Sequence, residues 1–274
     1  MKNVMKRQFL FIIPLLLQSC SSMYIPANRS IPLLEKKGEF QGETGISTNS
    51  LYFNSSYAFS NDIAASLNGN LSYRNFSNKY DLFTHKDDSP PGSGGFFGPP
   101  PDRRGKFEHR YWEASMGKMN MLPRFPVKLE MFGGIGTGKA TDIDYFDNDN
   151  RYKSNYTSLF VQGNYGMKKR NIEAGGSMRL AYSGFNYSVD RYTFDVEEYI
   201  LFQDKFNVLH VEPLLFVRVG KGNLKFVYRV GLNLALTLDP LEKYAGYRGL
   251  NNSGKLDNTV FHISIGLSYR IQGK

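Results

Sequence analysis

The only cysteine of the 274-residue chain stands in the run Leu17-Gln18-Ser19-Cys20, behind Lys2, Lys6 and Arg7 and the apolar stretch Phe9 to Leu17. A basic region, an apolar region and a small residue before a cysteine mark a lipoprotein signal peptide, whose product carries acyl chains such as palmitate on the new N-terminal residue. Residues 1–19 are therefore read as the signal peptide and Cys20 as the lipidation site. Each buried methylene contributes about 0.8 kcal/mol, so two or three acyl chains hold a protein on a bilayer unaided. With that thiol consumed, no disulfide is available. Gln18 occupies a place where such sites usually carry a small or aliphatic residue, which leaves an ordinary secretory signal as the alternative.

Three other residue sets could do chemistry. His210, Glu212 and His262 carry metal-ligating types on what read as the eighth and tenth strands, with Asn233 of the ninth between them. Alternate strands lie roughly 10 Å apart, which suits hydrogen bonding better than a shared ion, so no metal or other cofactor is expected. His85, Asp87, Asp88, His109, Asp142 and Asp144 fall toward one rim, where a hydrolase or a lipid A-modifying enzyme would need acids and a histidine to converge. No spacing among them demands a general base, and the chain is read as a non-enzyme. The third set is the loop Asn75 to Lys106, with Pro90-Pro91, Pro99-Pro100-Pro101 and glycines 92, 94, 95 and 98 around Tyr80, Phe83, Phe96 and Phe97. Proline and glycine at this density oppose regular structure, and aromatics in such a loop call for a partner or a surface, either a ligand or the mouth of the fold beneath.

The elements that must position these residues are strands. From Leu224 to Leu236 one face carries Leu224, Phe226, Tyr228, Val230, Leu232, Leu234 and Leu236, and the other Lys225, Val227, Arg229, Gly231, Asn233 and Ala235. Phe261 to Ile271 repeats this period of two. The same alternation runs through Glu39 to Thr48, Leu51 to Ser60, Ile63 to Arg74, Phe107 to Met119, Val127 to Gly138, Tyr156 to Lys168, Ile172 to Tyr187 and Asn207 to Val219, making ten strands. Most have the length of tilted membrane-spanning strands, about 9 to 11 residues. Pro213 interrupts the eighth, since proline removes a ladder bond and marks an edge or bulge.

Links after strands two, four, six and eight are short, near Asn61, Met121 to Phe125, Lys169 to Asn171 and Gly220 to Asn223. Those after three, five, seven and nine are long: Asn75 to Lys106, Lys139 to Asn155, Ser188 to Phe206 and Thr237 to Asn258. Only Asn49-Ser50 is short on that rim. Short turns on one rim and long loops on the other distinguish the periplasmic and extracellular ends of an outer-membrane barrel. Phe226, Tyr228 and Tyr269 then fall near the inner interface, and Tyr73 and Tyr182 near the outer one, where aromatic rings with polar tips settle. Unpaired backbone groups cost several kcal/mol each in hydrocarbon, so strand one must close on strand ten.

The interior of so narrow a barrel is filled by side chains. Its inward residues include Glu113, Lys128, Glu130, Phe132, Phe160, Gln162, Glu173, Arg179, Glu212, Phe216, Arg218, Lys225, Arg229 and Arg270, which predict a salt-bridged plug. A narrow pore would need small residues such as Gly175, Ser177, Gly231, Ser264 and Ser268 to leave a continuous gap. A soluble, lipid-anchored calycin-like barrel is the rival architecture, with its apolar face turned inward around a ligand.

Removal of three basic residues with the signal takes the formal charge from +9 to +6. The surplus is scattered, which argues against nucleic acid, and no later stretch reaches the roughly 18 apolar residues of a membrane helix. The stretch Pro32-Leu33-Leu34-Glu35-Lys36-Lys37-Gly38-Glu39-Phe40-Gln41-Gly42, preceded by Tyr24-Ile25-Pro26 and followed by Glu212-Pro213, resembles uncharacterised outer-membrane β-barrel lipoproteins of Bacteroidetes-type bacteria. That resemblance implies fold and location for the whole mature chain and supplies no catalytic residue.

The expectation is an all-β protein, a ten-stranded antiparallel up-and-down transmembrane β-barrel over residues 38–274. Residues 20–37 would form a lipidated periplasmic tether with its acyl chains in the inner leaflet of a Gram-negative outer membrane. Its partners would be the bilayer and an extracellular ligand or protein met by the long loops. A structural or surface-interaction role leads, then a small-solute pore, then an enzyme.

Overall fold

Ten strands follow one another in the chain: β1 (Phe40–Ser47), β2 (Leu51–Ala58), β3 (Ile63–Phe76), β4 (Gly105–Lys118), β5 (Lys128–Asp144), β6 (Asn150–Lys169), β7 (Ile172–Thr193), β8 (Val196–Val219), β9 (Leu224–Ala235) and β10 (Val260–Ile271). They come from a computed structural model that describes residue 24 and residues 28–47, 50–76, 105–121, 127–144, 150–193, 196–236 and 260–273. Each strand pairs antiparallel with its neighbours in sequence, and β1 pairs with β10, Phe40 opposite Ile271 and Ser47 opposite Ser264, to close the barrel. Closure leaves no sheet edge within the band that lipid would surround.

Alternation decides which face meets which environment. On β9, Leu224, Phe226, Tyr228, Leu232 and Leu234 are exposed, while Val227, Arg229, Gly231 and Asn233 are buried. On β10, Ile265, Leu267, Tyr269 and Ile271 point out, and His262, Ser264 and Ser268 point in. The apolar face is the outside, so the calycin-like alternative, which needs it inside, is ruled out. Phe226, Tyr228 and Tyr269 project outward near the short-turn rim, joined by Tyr57, Phe59 and Tyr165; Trp112 and Tyr182 project outward at mid-strand, at the other end of the apolar band, beyond which Arg110 and Asn186 are exposed. The side chain of Tyr73 lies outside the described residues. No described helix is long and apolar enough to cross a membrane.

Four strands are longer than their polarity pattern predicts. β5 continues to Asp144 and β6 starts at Asn150, while β7 reaches Thr193 and β8 starts at Val196. The links after strands five and seven are thus 145–149 and 194–195, not the long loops expected at 139–155 and 188–206. The ladder simply continues, with Lys139 opposite Asn155 and Thr141 opposite Lys153. Beyond the apolar band the outward face turns polar, with Lys139, Lys153, Asn155 and Asn186, while Ala140, Tyr152, Tyr187 and Val189 stay buried inside; without an exposed apolar stripe the alternation that betrays a membrane strand is lost. The wall is uneven as a result: β1 and β2 have 8 residues each and β8 has 24. The long links 77–104 and 237–259 lie outside the described residues.

Pro213 sits inside β8 without ending it. On the β7 side Met178 stands opposite Pro213 in unbroken register, whereas the β9 ladder passes from Val211 opposite Leu234 straight to Leu214 opposite Gly231. The missing N–H is therefore lost on one side only.

Of the segment expected to hang below the barrel as a tether, the described residues Tyr24 and Asn28 to Leu34 lie inside it, while Glu35, Lys36 and Lys37 stay exposed at the rim. Ile31 and Leu33 are 0% exposed, and Tyr24, Asn28, Arg29, Ser30 and Leu34 are buried as well. It turns into β1 at Gly38, whose φ of 80° favours glycine and whose N–H donates to the Ala58 carbonyl at 2.8 Å. From there backwards, Lys37 bonds Asn61 of the β2–β3 turn, Leu34 meets Glu130 near the start of β5, and Arg29 and Tyr24 reach Glu212. The Tyr24 ring stacks on His210, opposite the last residue of β9. This strap thus climbs from the short-turn rim to the outer end of β9.

Candidate functional site

Apolar strap residues find apolar seats. Leu34 packs with Ala58, Ala64, Met119 and Phe132, Ile31 and Leu33 with Leu214 and Phe216, and Tyr24 with Tyr111, Tyr156, Phe185 and Val208. Gly166 on β6 makes room for one of them: a Cβ there would come 2.5 Å from Leu33. Burying a Leu or Ile side chain is worth about 1.5–3 kcal/mol, so this run of side chains is a docking element.

The strap's backbone, which has no ladder of its own, is satisfied by inward side chains. Arg218 donates to the Ile31 carbonyl at 2.7 Å, Arg270 to that of Pro32 at 2.7 Å, and Gln162 to that of Ser30 at 3.0 Å. The Leu34 N–H donates to Glu130 at 3.1 Å, and the Ser30 and Ser56 hydroxyls share a bond of 2.7 Å. In return Arg29 donates to the Glu212 carbonyl at 2.5 Å and faces its carboxylate at 3.7 Å. That carbonyl stands where Pro213 interrupts the β8–β9 ladder.

Around the strap lies the ionic network the inward pattern predicts. Arg179 clamps Glu113 through two bonds of 2.7 Å, bonds Gln162 as well, and lies over the Phe160 ring at 3.9 Å. Asn68 and Tyr111 donate to the same Glu113 carboxylate at 2.7 and 3.0 Å. Nearer the short-turn rim, Glu173 draws together Arg218 at 3.2 Å, Lys225 at 2.7 Å and Arg270 at 3.4 Å. Glu43, absent from the inward residues expected, joins Arg218 to Arg229. Charges this deeply buried persist only when paired, and here a carboxylate meets each guanidinium.

At the short-turn rim Glu35 is partly open to solvent and bonded to Lys168 at 2.8 Å. Partial burial pushes its carboxyl up, but the Lys168 hydrogen bond and charge, with Lys128 and Arg270, outweigh this and hold it below its ordinary value.

The candidate residues fare differently. Among the described residues no group of three or more His, Cys, Asp or Glu side chains could hold a metal ion, so His210, Glu212 and His262 are not assembled as a metal centre. Glu212 is held by Tyr24 at 2.7 Å and by Arg29, His210 stacks on Tyr24 with centroids 4.2 Å apart, and His262 lies against Gly231. His109 points inward and meets the Tyr156 hydroxyl at 2.7 Å. Asp142 is buried on the neighbouring strand. His85, Asp87, Asp88, the Asp144 side chain and the loop aromatics Tyr80, Phe83, Phe96 and Phe97 lie outside the described residues, as does Cys20. What residue-by-residue reasoning missed is the strap, with Tyr24, Arg29 and Glu43. Its one signal was Ile31-Pro32-Leu33-Leu34, an apolar run too dense for a solvated tether.

No family model matches the chain, and no curated protein matches it. Among solved structures, the translocator domain of the autotransporter NalP from Neisseria meningitidis aligns over 98% of this chain and 96% of its own, at 9% identity and a TM-score of 0.41. OmpT, an outer membrane protein of Vibrio cholerae, aligns over 88% of this chain and 100% of its own, at 13% identity and a TM-score of 0.19. Overlap at this level bears on neither the activity nor the partners of this chain, whose architecture is the closed, ten-stranded antiparallel barrel described above.

Proposed function

We propose that the protein is an outer-membrane lipoprotein, acylated at Cys20, whose plugged barrel is a scaffold that holds its long links at the cell surface for a ligand or partner protein. The short-turn rim faces the periplasm and the high wall of β5 to β8 faces outward. The observation that carries this reading is the lumen itself: a strap seated by apolar packing and hydrogen bonds, inside a paired ionic network, occupies the space that a solute path would need. The exposed apolar band, with aromatic rings toward both of its ends, supports insertion in a bilayer.

Planar-bilayer recording on the full-length protein tests the plugged state. No steady single-channel current is expected, and a reproducible conductance would transfer the reading to a small-solute pore. Membrane insertion is checked by alkaline carbonate extraction of the parent and of Cys20→Ala. Both should stay in the membrane fraction; release of Cys20→Ala would mean that lipid alone holds the protein.

A further inference from the structure

The strap sets the side of the membrane on which the lipid can sit. Tyr24 stacks on His210 at the outer end of β9, and β8 needs nine further residues, from His210 to Val219, to descend to the short-turn rim. At about 3.3 Å per residue and a tilt near 40°, that descent is about 23 Å. Cys20 precedes Tyr24 by four residues. Four residues, fully extended, span at most about 14 Å. While the strap is seated, the chain cannot return from Tyr24 to the rim at which β1 begins.

The wall offers an exit on the other side. β9 ends at Ala235, β10 starts at Val260, β1 ends at Ser47 and β2 starts at Leu51, whereas β8 extends on to Val196. Among the described residues the ladder is shortest along β9, β10, β1 and β2, and the Tyr24 ring lies near the end of β9. On this side the last described ladder pairs beside Tyr24 are His210 opposite Ala235 and Val260 opposite Asn233, so a chain leaving Tyr24 in this direction has little strand left to clear.

Resting on the orientation and the Cys20 acylation proposed above, we infer that the N-terminus threads the barrel it precedes and leaves at the long-loop rim, so that the acyl chains enter the outer leaflet, opposite to the side on which β1 starts. The strap is then a through-membrane connection between a surface lipid and a periplasmic strand end. This departs from the tether expectation, in which the same residues would stay in the periplasm and the same lipid in the inner leaflet.

The test uses the full-length chain in cells and a membrane-impermeant maleimide, with single added cysteines; the acylated Cys20 offers no free thiol. Asp88→Cys marks the long link and Lys221→Cys the short-turn rim. Ser22→Cys reports on the N-terminus. Labelling of Ser22→Cys and Asp88→Cys on intact cells, with Lys221→Cys labelled only after the outer membrane is permeabilised, is the expected result. Ser22→Cys unlabelled on intact cells beside a labelled Asp88→Cys overturns the inference and leaves the orientation standing. Lys221→Cys labelled on intact cells with Asp88→Cys silent overturns the orientation instead, and an N-terminal peptide without acyl mass overturns the lipidation. Seating is read separately with Ser30→Cys combined with Ser56→Cys, whose parent hydroxyls are 2.7 Å apart. A disulfide in the acylated protein is expected, and its complete absence under oxidising conditions would also overturn the inference.

Discussion

Arg179 is the position at which the plug's energetics can be measured. Arg179→Met keeps an unbranched side chain but removes both 2.7 Å bonds to Glu113, the bonds to Gln162 and the stacking over Phe160. Glu113, 2% exposed, would keep only Asn68 and Tyr111 as donors. Breaking a buried ion pair by removing one partner costs about 3–5 kcal/mol, because the surviving charge is left without compensation. About 4 kcal/mol corresponds to roughly a thousandfold in the folded-to-unfolded ratio. Removing both charges, Glu113→Gln with Arg179→Met, leaves no orphaned ion, because Glu212, 3.9 Å from the Arg179 Nε, keeps Arg29 and Tyr24, and the loss should fall to about 1 kcal/mol or less. The coupling from such a cycle should therefore be at least about 2 kcal/mol. Reversible urea unfolding in detergent or lipid vesicles provides the assay, with Trp112, the only tryptophan, as the probe. A loss below about 1 kcal/mol in Arg179→Met, or a double variant as unstable as the two single losses combined, would refute the argument that these charges depend on each other.

Trp112 also tests insertion directly: it is 44% exposed on the outer face, so brominated acyl chains should quench its fluorescence, and unquenched emission in vesicles would contradict a lipid-facing surface. Glu35 supplies a pH dependence. Its folded pKa is depressed, so the stability it adds is fully present above its unfolded pKa and is lost as pH falls through the folded value. Glu35→Gln should accordingly unfold at lower denaturant than the parent near neutral pH, with the gap closing in acid; a gap that widens in acid would contradict the assignment. Deleting Ser89 to Pro101 should leave heat-modifiable migration on gels intact, since the described strands pair without that link; loss of the shift would show that it is part of the barrel.

The pattern of polarity made the barrel legible where one face is exposed and apolar and the other lines a packed interior. β9 and β10 are the clearest cases, and Phe226, Tyr228 and Tyr269 stand on the face their spacing assigns. Inward ions such as Glu113, Arg179 and Arg218 were legible for the same reason. Legibility failed where the outer environment changes: past Gly138 on β5 and past Tyr187 on β7, outward residues face water, and a continuing ladder looks like loop. It failed differently for the strap. Ile31, Leu33 and Leu34 have no periodic partner in their own segment, because their seats come from β2, β3, β5 and β8. Arg29 and Glu212 could not be matched for the same cause, and nothing local announces a bond between residues so far apart in the chain.

That distance has a kinetic consequence. The Tyr24 to Glu212 bond spans 188 residues and the Arg270 to Pro32 bond 238, while the strands themselves pair with immediate neighbours apart from the β1–β10 seam. Contacts of such long loop closure form late, since their entropy must be overcome before they return any stabilisation. Hairpins from β2 to β10 can zip sequentially, but the seat for Arg29 and Tyr24 exists only once β8 has curled round toward β1. Sealing the cylinder and filling it are therefore one cooperative step, and the last seam to form encloses residues that were made before any strand.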